Sequence, residues 1–323
     1  MPLSNTPGSA DPPSRDRSTP PADRNSSIRK EDLRARAVEV WTPVDLIRWT
    51  GGYLERNGIL EARLTAELLL AHVLGLKRLD LYLQYDRPLQ EEELAAFKRG
   101  LRRRLRREPL QYILGTVDFR ELNLRVDRRA LIPRPETEVL VGEVLAWCGE
   151  RGGLDAVDIG TGSGAIALSL RREGTFGRVL ATDTSEAALE LAGENRDRLL
   201  GGPESVEFRR GGGYSPLGGE RFDVIVSNPP YVAEVDRPGL EPEVVEWEPC
   251  TALFGGPDGL DVIRALVSGA PDHLRVDGLL AVEIGADQAD AVAEMVGLHP
   301  SFRTPCIRKD LAGRERILLA EVR

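Results

Sequence analysis

The sequence predicts an α/β protein in which a mostly parallel seven-stranded sheet follows a small helical bundle and a β-hairpin. Three observations support this fold class. From about residue 135 onward, short apolar runs alternate with helical patterns, as in parallel sheets covered by helices. Residues 38–108 have helical periodicity, and residues 117–126 partly alternate between apolar and polar side chains, which is typical of a hairpin.

The first 36 residues are expected to form a disordered tail. They are rich in Pro, Ser, Asp and Arg and hold almost no large apolar side chains. Such a segment cannot bury enough surface to offset the entropy of ordering it. A signal peptide would need an apolar core, and a mitochondrial transit peptide would lack acids such as Asp11 and Asp16. We therefore expect a cytoplasmic location.

The helical bundle is expected to begin at Thr42, Pro43 and Asp45. These residues supply a hydroxyl cap, a proline in the first turn and an acid near the positive end of the helix dipole. A second helical segment ends at Gly75, and a third covers residues 90–108.

The third helical segment carries a run of arginines: Arg99, Arg102, Arg103, Arg104, Arg106 and Arg107. One interpretation is a docking surface for an acidic or RNA-containing partner. The other is a solvated helix face, because charge runs are often only solvating.

Four regions are expected: the tail over 1–36, the bundle over 38–108, a hairpin linker over 109–133 and a catalytic domain over 134–323. The candidate strands of that domain are 154–159, 178–183, 205–209, 222–228, 278–284, 301–308 and 315–322. Its candidate helices are 164–173, 185–198, 258–269 and 287–297. Sequential alternation of this kind makes the sheet mostly parallel.

Composition excludes several classes of function. Apolar residues make up 41% of the chain and charged residues 29%, as in ordinary globular proteins. No apolar run approaches the ~18 residues of a membrane span. The net charge of -9 argues against direct nucleic-acid binding. The cysteines and histidines are scattered, so no metal site is expected: Cys148, Cys250, Cys306, His72, His273 and His299.

A glycine-rich loop follows the apolar run 154–157 and precedes an apolar helix start. Its residues are Gly160, Thr161, Gly162, Ser163 and Gly164. Glycine suits a sharp turn where a ligand lies against bare backbone, and the helix N-terminus favours polar ligand groups. Asp183 ends the next predicted strand about 20 residues later, the spacing of an acid that accepts both ribose hydroxyls. The tight glycine spacing looks like the cofactor loop of class I methyltransferases, so S-adenosylmethionine is favoured over NAD.

The tetrapeptide Asn228, Pro229, Pro230 and Tyr231 follows the apolar run 222–227, where the prolines end the strand and stiffen the backbone. The Asn228 side-chain oxygen and the Pro229 carbonyl can each accept a hydrogen bond from a planar NH2 group. Such acceptors strengthen as the attacking nitrogen becomes cationic, and the Tyr231 ring offers a flat surface for the amide. Adenine N6, cytosine N4 and a glutamine side chain all fit this chemistry.

The sequence closely resembles the PrmC/HemK family from about residue 41 to 322. That family methylates the glutamine of the Gly-Gly-Gln motif in peptide chain release factors. The resemblance is carried by several segments: 109–115, 131–138, 228–231, Glu248-Pro249, 252–256, and 283–285 with Gln288. A related ribosomal-protein glutamine methyltransferase differs after its Pro-Arg, so the release-factor enzyme is favoured.

The resemblance implies a class I (Rossmann-like) methyltransferase domain with release factors as partners. It implies that Gly160, Gly162 and Gly164 line the cofactor, with Asp183 on its ribose. Asn228 would then lie between cofactor and substrate, with Asn228 through Tyr231 on the glutamine amide. The resemblance also places Leu131 in the cofactor pocket.

Two features leave alternatives open. Arg134 and Glu136 could act in the site or could form an ion pair that holds the hairpin against the catalytic domain. Residues 211–213 are all glycine, where many relatives have Gly-Asp and a large residue that could contact the adenine. A nucleic-acid amino-methyltransferase and a non-enzymatic cofactor-binding protein are the competing function classes. The first would need a basic cleft and a pocket for a flipped base.

Overall fold

The computed structural model of the chain describes residues 40–323, so the predicted tail lies outside the described residues. Five helices open this part of the chain: α1 (Pro43–Arg56), α2 (Ala62–Leu74), α3 (Asp80–Leu83), α4 (Glu91–Leu105) and α5 (Leu110–Leu114). The predicted start is confirmed, since the Thr42 hydroxyl accepts a hydrogen bond from the Asp45 N–H at 3.3 Å. The predicted end of α2 is also confirmed, because Gly75 takes the left-handed conformation with φ 64°.

A two-stranded antiparallel hairpin follows the helices, as predicted: β1 (Thr116–Phe119) and β2 (Leu122–Arg125). Alternate residues of β2 point inward, which buries Leu122 and Leu124 completely or nearly so. The backbone N–H of Arg125 donates to the side-chain oxygen of Asn195 at 2.7 Å, and the Asn195 amide donates to the Ser163 carbonyl at 3.0 Å. The hairpin is thereby tied to the glycine-rich loop.

The rest of the chain forms a seven-stranded sheet with helices on both faces. Its strands are β3 (Asp155–Ile159), β4 (Arg178–Asp183), β5 (Glu207–Arg210), β6 (Phe222–Ser227), β7 (Leu274–Glu283), β8 (Cys306–Lys309) and β9 (Glu315–Glu321). Its helices are α6 (Pro135–Cys148), α7 (Ala165–Glu173), α8 (Glu186–Leu200), α9 (Pro242–Trp247), α10 (Asp261–His273) and α11 (Ala289–Gly297). Short 3₁₀ segments lie at Ser215–Leu217, Glu234–Gly239 and Cys250–Ala252.

The strand order is β5-β4-β3-β6-β7-β9-β8. The first five strands are parallel, and β9 pairs antiparallel with both β7 and β8. The predicted mostly parallel, seven-stranded sheet is therefore confirmed. The order reverses at β3, which pairs with β4 on one side and β6 on the other. A crevice forms at the carboxyl ends of the strands at such a switch point, and ligands of doubly wound proteins bind there.

Alternate strand residues divide the core into two layers. Ala156 of β3 packs in the layer that includes Leu140 of α6 and Leu168 of α7. Val157, the next residue, packs in the opposite layer with Ile263 of α10 and Val292 of α11. Because both faces are covered, the central strands read as continuous apolar runs, which is why the sequence revealed them.

The structure corrects several predicted elements. The sequence prediction passed over helices α6 and α9, although each begins with a proline in its first turn followed by an acid. Strand β8 starts at Cys306 and is much shorter than the predicted 301–308. The helical bundle, hairpin and sheet also share one compact unit, residues 42–323, so the limits drawn between them stay predictions. Among residues 40–323, no helix is long and apolar enough to span a membrane.

Candidate active site

One cavity of about 570 Å³ lies along the carboxyl ends of the parallel strands. The residues that line it occur in the order of the strands. Gly211–Gly213 follow β5, Asp183 ends β4, the loop Gly160–Ser163 follows β3, and Asn228–Pro230 follow β6. The sequence motifs predicted to form one site are thus brought together at the switch point of the sheet.

The glycine-rich loop turns sharply between β3 and α7. Gly160 and Gly162 have φ values of 79° and 57°, a left-handed region that favours glycine. Asp158, at the start of the loop, is fully buried and accepts hydrogen bonds from the Thr161 hydroxyl at 2.7 Å and the Ala167 N–H at 3.2 Å. Burial raises the pKa of the Asp158 carboxyl to about 7. This carboxyl therefore shapes the loop from beneath without reaching the cavity.

Asp183 stands beside the loop with its carboxylate on the cavity wall. One of its oxygens accepts the Gly162 N–H at 2.9 Å and the other accepts the Ser185 N–H at 2.8 Å. Each carboxylate oxygen has a further lone pair, so two vicinal hydroxyls can still bind there. The residues present therefore fit the ribose of a nucleoside cofactor, with the bare backbone of the loop next to it.

Nine of the eleven residues predicted for the site line the cavity: Gly160, Thr161, Gly162, Ser163, Asp183, Leu131, Asn228, Pro229 and Pro230. Gly164 does not line it. A Cβ at Gly164 would come within 3.0 Å of Leu168 and 3.3 Å of Ala192, so this glycine serves the packing of α7 on α8.

A buried chain of hydrogen bonds fixes the side chain of Asn228. Its amide nitrogen donates to the Thr137 hydroxyl at 3.0 Å, and that hydroxyl donates to the Glu283 carboxylate at 2.6 Å. Thr137 has a single hydroxyl proton, which Glu283 receives, so its oxygen must accept from Asn228. The amide nitrogen of Asn228 therefore faces Thr137, which leaves the amide oxygen free to accept from a substrate N–H.

Tyr231 is the one residue of the tetrapeptide that lies outside the cavity lining. Its hydroxyl donates to the second oxygen of Glu283 at 3.2 Å, and its ring packs in the core layer that contains Ile263. Burial and the nearby Glu283 raise the pKa of Tyr231. In the structure the Tyr231 hydroxyl thus supports Glu283 from behind, and the role of its ring as a flat surface for the substrate amide stays a prediction.

Glu283 lies at the centre of this arrangement with no exposed surface. Burial raises the pKa of its carboxyl, and the hydrogen bonds from Thr137 and Tyr231 oppose that rise. In the sequence, Glu283 was notable only as part of a family segment, and Thr137 had no predicted role. The signal that could have found both residues is that they lie in segments 131–138 and 283–285, which carry the family resemblance and which the apolar periodicity does not explain.

Close backbone packing holds the tetrapeptide in place. A Cβ at Gly255 would lie 2.3 Å from the Pro230 carbonyl oxygen, and one at Gly259 would lie 2.1 Å from that of Tyr231. The Gln288 side chain donates to the Tyr231 carbonyl at 2.9 Å. Glycine is therefore required at 255 and 259, and the segments around them act as a rigid support for the turn.

The residues Arg134 and Glu136 do not pair with each other. Arg134 pairs with Glu248, whose other oxygen accepts the Ile132 N–H at 3.1 Å. Glu136 pairs with Arg314 at 2.6 Å, in the turn between β8 and β9. Of the two interpretations of these residues, an ion-pair role is the one present, but with different partners. The pair of Arg134 with Glu248 fastens the segment of residues 232–254, called the strap below, to the linker before α6.

A second carboxylate of the 232–254 strap reaches the helical bundle. Glu243 of α9 contacts Arg104 of α4 at 2.9 Å and Arg107 at 3.3 Å. The Arg104 side chain is only 9% exposed, and Arg107 also donates to the Gly58 and Asn57 carbonyls. These two arginines are therefore neither a free docking surface nor a solvated face. The strap in turn lines the cavity through Pro249, Thr251 and Ala252.

The sheet order, the glycine loop after β3 and the tetrapeptide after β6 together define a class I methyltransferase, whose methyl donor is S-adenosylmethionine. The sequence also matches the profile of the PrmC N-terminal domain over residues 45–115 and that of the methyltransferase small domain over residues 138–245. The catalytic domain of hMettl16, solved with the MAT2A 3'UTR hairpin 6, has the same fold, with a TM-score of 0.51 at 15% sequence identity. The superposition covers 69% of this chain and 81% of the hMettl16 chain.

The sequence is 45% identical over 257 residues to the release factor glutamine methyltransferase of Geobacter sulfurreducens, which covers 80% of this chain and 89% of that protein. The release factor glutamine methyltransferase of Gloeobacter violaceus is 43% identical over 257 residues, or 78% of this chain and 88% of that protein. The chain belongs to the release factor glutamine methyltransferase family.

Proposed function

We propose that this protein transfers the methyl group of S-adenosylmethionine to the side-chain amide nitrogen of the glutamine in the Gly-Gly-Gln motif of peptide chain release factors. The observation that carries the proposal is the fixed Asn228 amide, whose oxygen is free at the end of the cavity beyond the cofactor loop. Family membership supplies the glutamine and the release factor, since both stand in the names of the relatives.

The protein must make a weakly nucleophilic amide nitrogen attack the methyl group of the cofactor. A glutamine amide nitrogen is a poor nucleophile because its lone pair is delocalised into the carbonyl. The cofactor, when bound, supplies an electrophilic methyl group on a sulfonium. Asn228 and the Pro229 carbonyl accept the two N–H bonds of the substrate amide, which orients the nitrogen and stabilises the positive charge that develops on it. A proton then leaves the nitrogen to water.

The glycine-rich loop and Asp183 would hold the cofactor. The backbone of Gly160 to Ser163 would hold the amino-acid part at the N-terminus of α7, and Asp183 would accept the ribose hydroxyls. Leu131 would close the cavity from the linker side. We also place the reaction in the cytoplasm, where release factors act, in keeping with cysteines that are free in the described residues.

The test is methyl transfer from labelled S-adenosylmethionine with four acceptors in parallel. These are a release factor, its variant with Ala in place of the motif glutamine, a mixture of ribosomal proteins, and DNA or RNA. Label only on the intact release factor is the expected result. Label on the Ala variant, on ribosomal protein alone or on nucleic acid alone would contradict the proposed substrate.

A further inference from the structure

Three consecutive glycines line the β5 end of the cavity, where the adenine would lie. Gly211, Gly212 and Gly213 follow β5 and line the cavity, and the latter two are exposed to solvent. We infer that this protein binds cofactor analogues with substituents on the adenine amino nitrogen (N6) nearly as tightly as the parent cofactor. The inference rests on the proposed function, because that function is what places an adenine here.

The position of the base follows from the order of the strands. Asp183 ends β4, the glycine-rich loop lies on its β3 side, and the glycine run lies on its β5 side. With the ribose on Asp183 and the amino-acid part on the loop, the base must extend toward β5. The Gly211 N–H donates to the Asp183 carbonyl at 2.9 Å, so the run begins directly beside the ribose site.

None of the three glycines gives the base a side chain, and there is room for one. A Cβ on Gly213 would meet no atom within 4 Å. A Cβ on Gly212 would meet only the methyl carbon of Thr184, at 3.2 Å. A substituent on the base edge would therefore lie over bare backbone and extend into solvent.

Two neighbouring hydroxyls are engaged elsewhere. The Tyr214 hydroxyl donates to the Leu266 carbonyl at 2.6 Å, and its ring stacks on His273 at 4.8 Å. The Ser215 hydroxyl donates to the Gly212 carbonyl at 2.8 Å. The other carboxylate on the cavity wall, Asp261, lies against Gly256 on the substrate side.

Among the described residues, then, no side-chain carboxylate is placed to accept from an adenine amino group. A site built to hydrogen-bond an N–H group rejects analogues that lack it, often by several powers of ten, because its buried acceptor is left unpaired. A site without that acceptor has no such penalty. Loss of the amino hydrogens should therefore change affinity little in this protein.

The experiment is calorimetric binding of three ligands to the full-length protein: S-adenosylhomocysteine, its N6-benzyl derivative and its N6,N6-dimethyl derivative. We expect the three Kd values to fall within about tenfold of one another, less than the loss of one hydrogen bond to a charged group would cause. The benzyl ligand tests space, and the dimethyl ligand tests the hydrogen bond.

Gly212→Asp is the matched variant, since Gly212 has no left-handed φ and can carry a side chain. The new carboxylate should favour the free amine over the dimethyl ligand by roughly tenfold to a hundredfold, as expected for a charge-assisted hydrogen bond. Gly212→Ala adds the Cβ without an acceptor and should keep the wild-type ratio.

The possible outcomes distinguish a failure of this inference from a failure of the proposed function. If S-adenosylhomocysteine binds and either substituted ligand binds more than about tenfold more weakly, the inference is overturned and the proposed function stands. If Gly212→Asp gives the wild-type ratio while binding the parent ligand, the base does not lie at Gly212 and the inference also fails. If the parent ligand itself does not bind, the proposed function fails with it.

Discussion

Replacing Thr137 by Val should release the Asn228 side chain while leaving its chemistry intact. Valine has nearly the shape of threonine and lacks only the hydroxyl. The change deletes two hydrogen bonds, the 3.0 Å bond from the Asn228 amide and the 2.6 Å bond to Glu283. Asn228 can then turn its amide nitrogen toward the substrate, an orientation in which it cannot accept from the glutamine.

The magnitude follows from the first of these bonds. A neutral hydrogen bond contributes a net ~1 kcal/mol, which corresponds to roughly a fivefold preference for the correct amide orientation. We therefore expect kcat to fall by at most about fivefold, well short of the ~10²-fold loss for removing a transition-state acceptor altogether. The second bond affects stability, because the buried Glu283 carboxylate loses a donor at a cost of ~1–3 kcal/mol.

Single-turnover transfer of labelled methyl to a release factor, with cofactor and protein substrate saturating, measures the catalytic part. Urea unfolding measures the stability part. Thr137→Ser keeps the hydroxyl and should restore a rate near that of the wild type. A Thr137→Val rate equal to the wild-type rate, in a protein that remains folded, would show that Thr137 does not orient Asn228.

Four further changes have defined outcomes. Asn228→Ala should reduce turnover ~10²-fold or more, which single-turnover kinetics will show, and a near-normal rate would exclude this residue from the mechanism. Asp183→Ala should weaken S-adenosylhomocysteine binding at least about tenfold in calorimetry, because the ribose loses a charged acceptor; unchanged affinity would move the ribose elsewhere. Asp158 has its pKa raised to about 7, so its contribution to stability is present at low pH and declines as pH rises through 7. Urea unfolding from pH 5 to pH 8 should therefore show a smaller decline for Asp158→Asn than for the wild type, and parallel curves would contradict this. Glu243→Ala leaves the mostly buried Arg104 without its carboxylate partner and should cost ~3 kcal/mol of unfolding free energy, whereas the exposed neighbour Glu246→Ala should cost less than ~0.5 kcal/mol. Equal costs would show that the contact of Glu243 with the arginines does not stabilise the fold.

Local patterns were enough to predict much of this fold. The apolar runs of β3 and β6 were recognisable because both faces of these strands are buried. The α1 start at Thr42 and the α2 end at Gly75 use side chains and backbone conformations whose preference is local. Strand β8 was overestimated because its limits depend on pairing with β9, and pairing leaves little trace in one strand alone.

The parts of the site that lie in continuous segments were predicted, and the parts that depend on contacts between distant residues were missed. The glycine loop and the tetrapeptide are continuous segments that carry their chemistry with them. The Asn228 orientation depends on Thr137, which lies 91 positions from Asn228, and on Glu283, which lies 146 positions from Thr137. Periodicity contains no information on which distant side chains meet. For the same reason Arg104 looked like part of a surface run, although its partner Glu243 lies 139 positions along the chain.

The contact of Glu243 with Arg104 and Arg107 also bears on how this protein can change over evolutionary time. The helical bundle supplies the cations, while the anion belongs to the strap that forms the acceptor side of the cavity. A bundle exchanged for one without these arginines would leave the Glu243 carboxylate of the strap without its cationic partners. The two regions must therefore vary together, and the sheet domain cannot be treated as an independent catalytic module to which any helical bundle can be attached.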